Sequence, residues 1–145
     1  MAERFRREQS IGEIMTKDLS TLESSSTITE AARQMRDNDT GAIIIMDGNA
    51  MRGLLTDRDI AVRAVAEGRS PDETTAGDIC STDLVTLKPS STIEDAVKAM
   101  RDAKVRRLPV AENGTPVGII SLGDLAIARE EESALADISA ASPNN

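Results

Sequence analysis

The sequence predicts a mixed α+β fold built from two copies of one β-α-β-β-α unit. Three observations carry that expectation. The stretch Gly53-Leu54-Leu55-Thr56-Asp57-Arg58-Asp59 returns as Gly118-Ile119-Ile120-Ser121-Leu122-Gly123-Asp124, sixty-five residues later. The surrounding residues align without a gap, 11–63 against 76–128, and about a third of the paired positions are identical, which marks an internal repeat. Within each copy the apolar pattern switches between short strand-like runs and helical spacing of three and four.

Each element follows from local chemistry. Residues 1–10 are polar and charged and read as a flexible lead. The first repeat, 11–66, has an extended piece at Leu19–Leu22. A helix follows, opened by the capping box Thr27-x-x-Glu30, with Ile28, Ala31, Ala32 and Met35 as its apolar stripe. The run Ala42–Met46 is a buried strand, and Asp47-Gly48-Asn49 turns it into the strand ending at Leu54-Leu55. Ile60, Val62 and Val65 then read as a second helix. Residues 67–75, rich in Gly, Pro and charge, form a linker.

The second repeat, 76–130, has the same order. It has an extended piece at Leu84–Leu87, a helix opened by Thr92-x-x-Asp95 with Ile93, Val97 and Met100, and the strand Leu108–Ala111. A turn at Glu112-Asn113-Gly114 leads to the strand ending at Ile119-Ile120, and Leu125 and Ile127 mark the last helix. Glu130-Glu131-Glu132 read as its end, and 131–145 as a flexible tail. A copy of roughly 55 residues buries only about 60% of its surface, so the two are expected to pack as one pseudo-twofold module.

Composition narrows the function. Of 145 residues 39% are hydrophobic, yet Phe5 is the only aromatic, so the core is aliphatic. A net charge of −8 speaks against nucleic acid as a partner, despite the short basic run Arg4, Arg6 and Arg7. The chain has no histidine, which removes Ser-His-Asp and Cys-His nucleophiles and the common zinc sites. Cys80 is the only cysteine and stands where the first repeat has Met15, so it reads as a packing residue. No apolar run is long enough to span a membrane and no signal-peptide core is present. A cytoplasmic, non-catalytic protein that needs no metal is expected.

The repeated stretch is where chemistry concentrates. Thr56-x-x-Asp59 and Ser121-x-x-Asp124 sit at strand-to-helix junctions and satisfy the capping-box pattern. That role needs no ligand. A helix N-terminus also attracts anions, and an aspartate beside it can accept from ribose hydroxyls, so two such sites suit a nucleotide.

The tandem unit, each copy ending in Gly-h-h-(Ser/Thr)-x-x-Asp, resembles the cystathionine-β-synthase (CBS) domain family. Glu13-Ile14-Met15-Thr16, Arg106-Arg107-Leu108-Pro109-Val110 and Gly53–Ile60 carry the resemblance, which covers about residues 11–130. It implies tandem CBS repeats with two clefts between them, as in small stand-alone bacterial pairs. Many members bind AMP, ADP, ATP or S-adenosylmethionine there and associate as homodimeric discs. By this resemblance Asp59 and Asp124 accept from ribose, and Thr56 and Ser121 face phosphate or ribose. The pieces around Thr16–Thr21 and Ser81–Thr86 offer backbone to adenine, beside apolar walls from Ile14 and Ile79. Arg106 and Arg107 match phosphate-contacting positions, with Pro109 beside them.

The copies differ in charge: Gly41-Ala42 stand opposite Arg106-Arg107, Ile44 opposite Pro109, and Arg58 opposite Gly123. Unequal clefts are therefore expected, one suited to a phosphorylated ligand. The alternative for Arg106 and Arg107 is pairing with surface acids. At the level of function, a regulatory sensor of an adenosine-containing ligand that signals to an unknown protein partner stands beside a ligand-free dimeric interaction protein.

Overall fold

The computed structural model describes residues 9–83 and 85–140. Leu84, the run Arg4 to Arg7 of the expected lead and the last five residues of the expected tail lie outside them. The elements are α1 (Ile11–Ile14), β1 (Thr21–Glu23), α2 (Ile28–Asn38), β2 (Ala42–Asp47), β3 (Ala50–Thr56) and α3 (Asp57–Asp59), which continues as a π-helical stretch, Ile60–Val65. The second repeat supplies α4 (Ala76–Ile79), α5 (Ile93–Ala103), β4 (Arg107–Glu112), β5 (Thr115–Ser121) and α6 (Leu122–Ala140). The fold is thus α+β, with the β-α-β-β-α order explicit in the first repeat. Helix α6 runs on to Ala140, past the end expected at the three glutamates. No helix among the described residues is long and apolar enough to cross a membrane.

Caps and turns fall where the sequence puts them. The hydroxyls of Thr27 and Thr92 accept from the backbone N–H of Glu30 and Asp95, 3.1 and 3.0 Å away, and each acid accepts in return. The hairpin turns place Gly48, Asn113 and Gly114 at positive φ, which glycine and asparagine tolerate best.

The two sheets are not equivalent. In the first, β1 pairs parallel to β2 and β2 antiparallel to β3; among the described residues the second contains only β4 and β5. Among the described residues of the piece expected at Leu84–Leu87 there is one parallel bridge, between Leu87 and Val110. Two prolines explain the loss. In the first repeat the N–H groups of Ile44 and Ser24 donate to Ser20 and Met46 and so hold β1 at both ends. Their counterparts are Pro109 and Pro89, which have no N–H to donate.

Helices α2 and α5 bury Ile28, Ala31 and Met35, and Ile93, Ala96 and Met100. Ala32, expected in the first stripe, is exposed, and Val97 is half-buried. Val62, Val65 and Ile127, read from sequence as helix positions, point outward, at 48%, 63% and 58% exposure.

Each core borrows from the other repeat. Ile11 of α1 packs with Ile93, Met100, Leu108 and Ile120 of the second repeat. Ala76, Ile79 and Cys80, from and just after α4, pack with Ile28, Met35, Ile43 and Leu55 of the first. Matching hydrogen bonds fix both exchanges: Ile11 N–H to Ser91 carbonyl (2.8 Å) and Ala76 N–H to Ser26 carbonyl (2.7 Å). Between the halves, Ala42, Ile44 and Leu54 form a third buried group against Leu19 and Ile119.

Candidate functional site

The exchange of leading helices decides which parts of the repeated stretch meet. After α1 the chain lies against β5, and Thr16 and Ile119 exchange backbone hydrogen bonds of 2.8 and 3.0 Å. After α4 it lies against β3, and Ser81 and Leu54 exchange bonds of 2.9 and 3.0 Å. Thr16 is therefore anchored two residues before Ser121, and Ser81 two residues before Thr56. The leading glycines permit this contact. A Cβ on Gly53 would stand 2.2 Å from the Ser81 carbonyl oxygen, and one on Gly118 would stand 2.4 Å from the Met15 sulfur.

Both motifs are formed as capping boxes. Asp59 N–H donates to the Thr56 hydroxyl (3.1 Å), and the Thr56 N–H donates to Asp59 Oδ2 (2.9 Å). Ser121 and Asp124 do the same at 3.0 Å each. Each carboxylate spends one oxygen on its cap; the other oxygen of Asp59 lies 3.8 Å from Arg63. All four side chains are half-buried.

Arg107 links the two motifs. It stands opposite Ser121 in the β4–β5 register. Its Nη1 donates to the Gly41 carbonyl (3.1 Å) and lies 3.4 Å from Asp57 Oδ1, at the first motif's helix start. A Cβ on Gly41 would come within 2.8 Å of both Arg107 and Asp57, so glycine is what lets the guanidinium in. The mirror-image link does not form, because its positions hold Ala42 and Leu122. Asp57 received no role from sequence. The signal was the joint difference between the copies, an acid at 57 and a base at 107 where the partners are apolar.

The other expected site residues divide into three groups. Arg106 and Arg58 are exposed; the Arg106 carbonyl accepts from Leu122 N–H (2.8 Å). Thr16, Thr21 and Thr86 are exposed and Ser81 is half-buried. The backbones of Thr16 and Ser81 are used in their bridges. Ile14 is half-buried against the second core. Ile79, at 2% exposure, belongs to the first core and offers no wall to a ligand. Pro109 is buried too, its carbonyl accepting from Leu87 N–H (3.0 Å).

Two neighbouring groups have shifted acidities. Hydrogen bonds from Thr75 hold the Asp78 carboxyl below its usual range. Burial pushes the Cys80 thiol up, which keeps it neutral in its packing role.

The family profile for the CBS domain matches residues 11–65 and 76–131, most of the chain and both copies. The chain belongs to the CBS domain family. This CBS pair is 40% identical to the CBS domain-containing protein YhcV of Bacillus subtilis, over 81% of this chain and 84% of that one. It is 33% identical to Hypoxic response protein 1 of Mycobacterium tuberculosis, over 79% of this chain and 80% of that one. The crystal structure of Hypoxic Response Protein I with two coordinated zinc ions superimposes with a TM-score of 0.74 at 32% identity, covering 82% of this chain and 98% of that one. A CBS-domain protein of proposed signal-transduction function from Burkholderia ambifaria superimposes at 0.77 with 26% identity, over 89% and 96%. A hexameric CBS-CP12 protein from bloom-forming cyanobacteria does so at 0.75 with 25% identity, over 92% and 86%.

Proposed function

We propose that this CBS pair is a regulatory module that takes an adenosine-containing ligand between its repeats and passes the bound state to a protein partner. The observation that carries this reading is the reciprocal anchoring of Thr16 beside Ser121 and Asp124, and of Ser81 beside Thr56 and Asp59. It brings backbone from one repeat to the hydroxyl and carboxylate of the other, twice. In each cleft the aspartate accepts from ribose with the oxygen its cap leaves over. Arg107 gives the first motif a cation for a phosphate, so AMP, ADP or ATP is favoured there. S-adenosylmethionine, with no phosphate, is the ligand class that needs no such cation. No catalytic role is assigned, because the carboxylates are engaged in caps and no nucleophile–base pair accompanies them.

The zinc of Hypoxic Response Protein I is not carried over to this chain, which has no histidine and whose one cysteine is buried. The hexamer among the neighbours supports self-association. So do Val62 and Ile127, equivalent residues that both expose apolar side chains beyond the two motifs. A homodimer using these helices would serve both the sensor and a ligand-free interaction protein.

Thermal unfolding against AMP, ADP, ATP, S-adenosylmethionine and adenosine separates the two, with Asp59→Ala/Asp124→Ala alongside. Ligand at about 100-fold over its Kd adds roughly 2.7 kcal/mol, or about 5–10 °C for a chain of this size. Each protein is compared with its own ligand-free transition, since the substitutions also remove caps. A rise confined to the parent chain supports the sensor. No rise with any ligand, in protein free of bound nucleotide, leaves the interaction protein.

A further inference from the structure

Arg63 touches both halves of the first motif's surroundings with one side chain. Its Nη1 donates to the Ile79 carbonyl (3.1 Å), and its Nε lies 3.8 Å from Asp59 Oδ1. Asp59 is the acid of the first motif. Ile79 lies two residues before Ser81, whose backbone is bridged to Leu54. The guanidinium therefore spans from the carboxylate of one repeat to the leading segment of the other.

Local structure explains that reach. Asp59 and Arg63 are four residues apart where α3 runs on into the π-helical stretch, so their side chains share a face. The acid stands on the N-terminal side, the favoured order for such a pair. The Ile79 carbonyl closes α4, where a helix leaves its last carbonyls without an intrahelical partner. Arg63 supplies that partner from the other repeat.

The second repeat lacks the device. Its counterpart of Arg63 is Ala128, packed at 1% exposure, and Asp124 makes no ion pair among the described residues. Both aspartates spend Oδ2 on their caps, so the copies differ at the oxygen left over. At 3.8 Å the contact to Asp59 Oδ1 is ionic and too long for a hydrogen bond, which leaves that oxygen able to accept from a hydroxyl. The Asp59 side chain is 14% exposed, and the cation beside it is anchored at its far end. A carboxylate held in this way has less freedom to lose when it accepts from a ligand.

We propose that Arg63 is a positioning residue that holds Asp59 for ribose hydroxyls and makes the first motif the stricter of the two in demanding them. The inference rests on the ribose-accepting role proposed above for Asp59. Arg63 acts through that carboxylate and needs no contact of its own with the ligand.

Calorimetric titration of the full chain with AMP and with dideoxy-AMP, which lacks both ribose hydroxyls, tests it. The readout is the ratio of the two affinities, measured below the unfolding transition of each variant. In an Asp124→Ala chain, which retains the first motif, AMP should bind about thirtyfold more tightly than dideoxy-AMP. Adding Arg63→Ala should reduce that ratio about threefold. In an Asp59→Ala chain, the AMP that remains bound should keep its ratio when Arg63→Ala is added, because the effect passes through Asp59. An equal loss for both nucleotides in the Asp124→Ala chain would make Arg63 a structural tie between the repeats and overturn the proposal. The same fall in the ratio without Asp59 would overturn it too. AMP binding with an unchanged ratio removes the role of Arg63 alone, whereas no binding of AMP to the parent chain removes the nucleotide reading with it.

Discussion

The two repeats share one plan and differ where chemistry is placed. Both carry a capping-box motif, and both accept the other's leading segment beside it. The first repeat has a complete three-stranded sheet, a helix start that continues as a π-helix, and the acid Asp57. The second has, among the described residues, two strands, a continuous nineteen-residue helix and the base Arg107. Duplication preserves the frame because backbone contacts hold it. Side chains at the helix starts and on the helix faces diverge because solvent, rather than a core, receives them.

The glycines of the motif give the largest effects and separate the copies. Gly53→Ala would drive a methyl into a backbone carbonyl and should cost about 3 kcal/mol. Gly118→Ala meets chiefly the flexible Met15 side chain and should cost about half as much. Urea unfolding of both variants measures this; equal losses would mean that the two bridges are equally rigid.

Arg107 is the next largest. Arg107→Ala should weaken AMP about tenfold, the loss of one charge-assisted contact, and adenosine hardly at all. Asp57→Asn frees the guanidinium from its acid and should tighten AMP about threefold. Calorimetric titration with both ligands decides; equal losses for AMP and adenosine in Arg107→Ala would end the phosphate role and leave Arg107 as a structural tie.

Restoring the missing donors would make the second sheet more like the first. Pro89→Ser with Pro109→Ile, the residues of the other copy, should lengthen the bridge at Leu87 into a short strand. Amide exchange at Leu87, Lys88, Val110 and Ala111 should slow severalfold, with stability changed by less than about 1 kcal/mol. Unchanged exchange would locate the cause outside the prolines.

Cys80 should show the smallest effect, and none at neutral pH. Its raised pKa means that the folded state prefers the neutral thiol. The contribution is full below the ordinary thiol value of about 8.5 and is lost as pH rises from there through the folded value. Stability should therefore fall faster above that pH in the parent than in Cys80→Ala. Thiol-reagent labelling at neutral pH should follow unfolding; fast labelling of folded protein would contradict the buried packing role.

Much of this was legible without coordinates. The duplication is residue order itself, and the capping boxes at Thr27, Thr56, Thr92 and Ser121 and the glycine turns rest on contacts within four residues, which residue order states directly. The weaker edge of the second sheet was legible as well, in Pro89 and Pro109, although the repeat led to an extended piece being expected at Leu84–Leu87. Tertiary structure alone decided that Ile11 serves the second core and Ile79 the first. It also decided that Gly53 and Gly118 are contact points between repeats, and that Arg107 reaches Asp57. Each depends on residues far apart in sequence meeting in space, and periodicity records only which face of its own element a residue occupies.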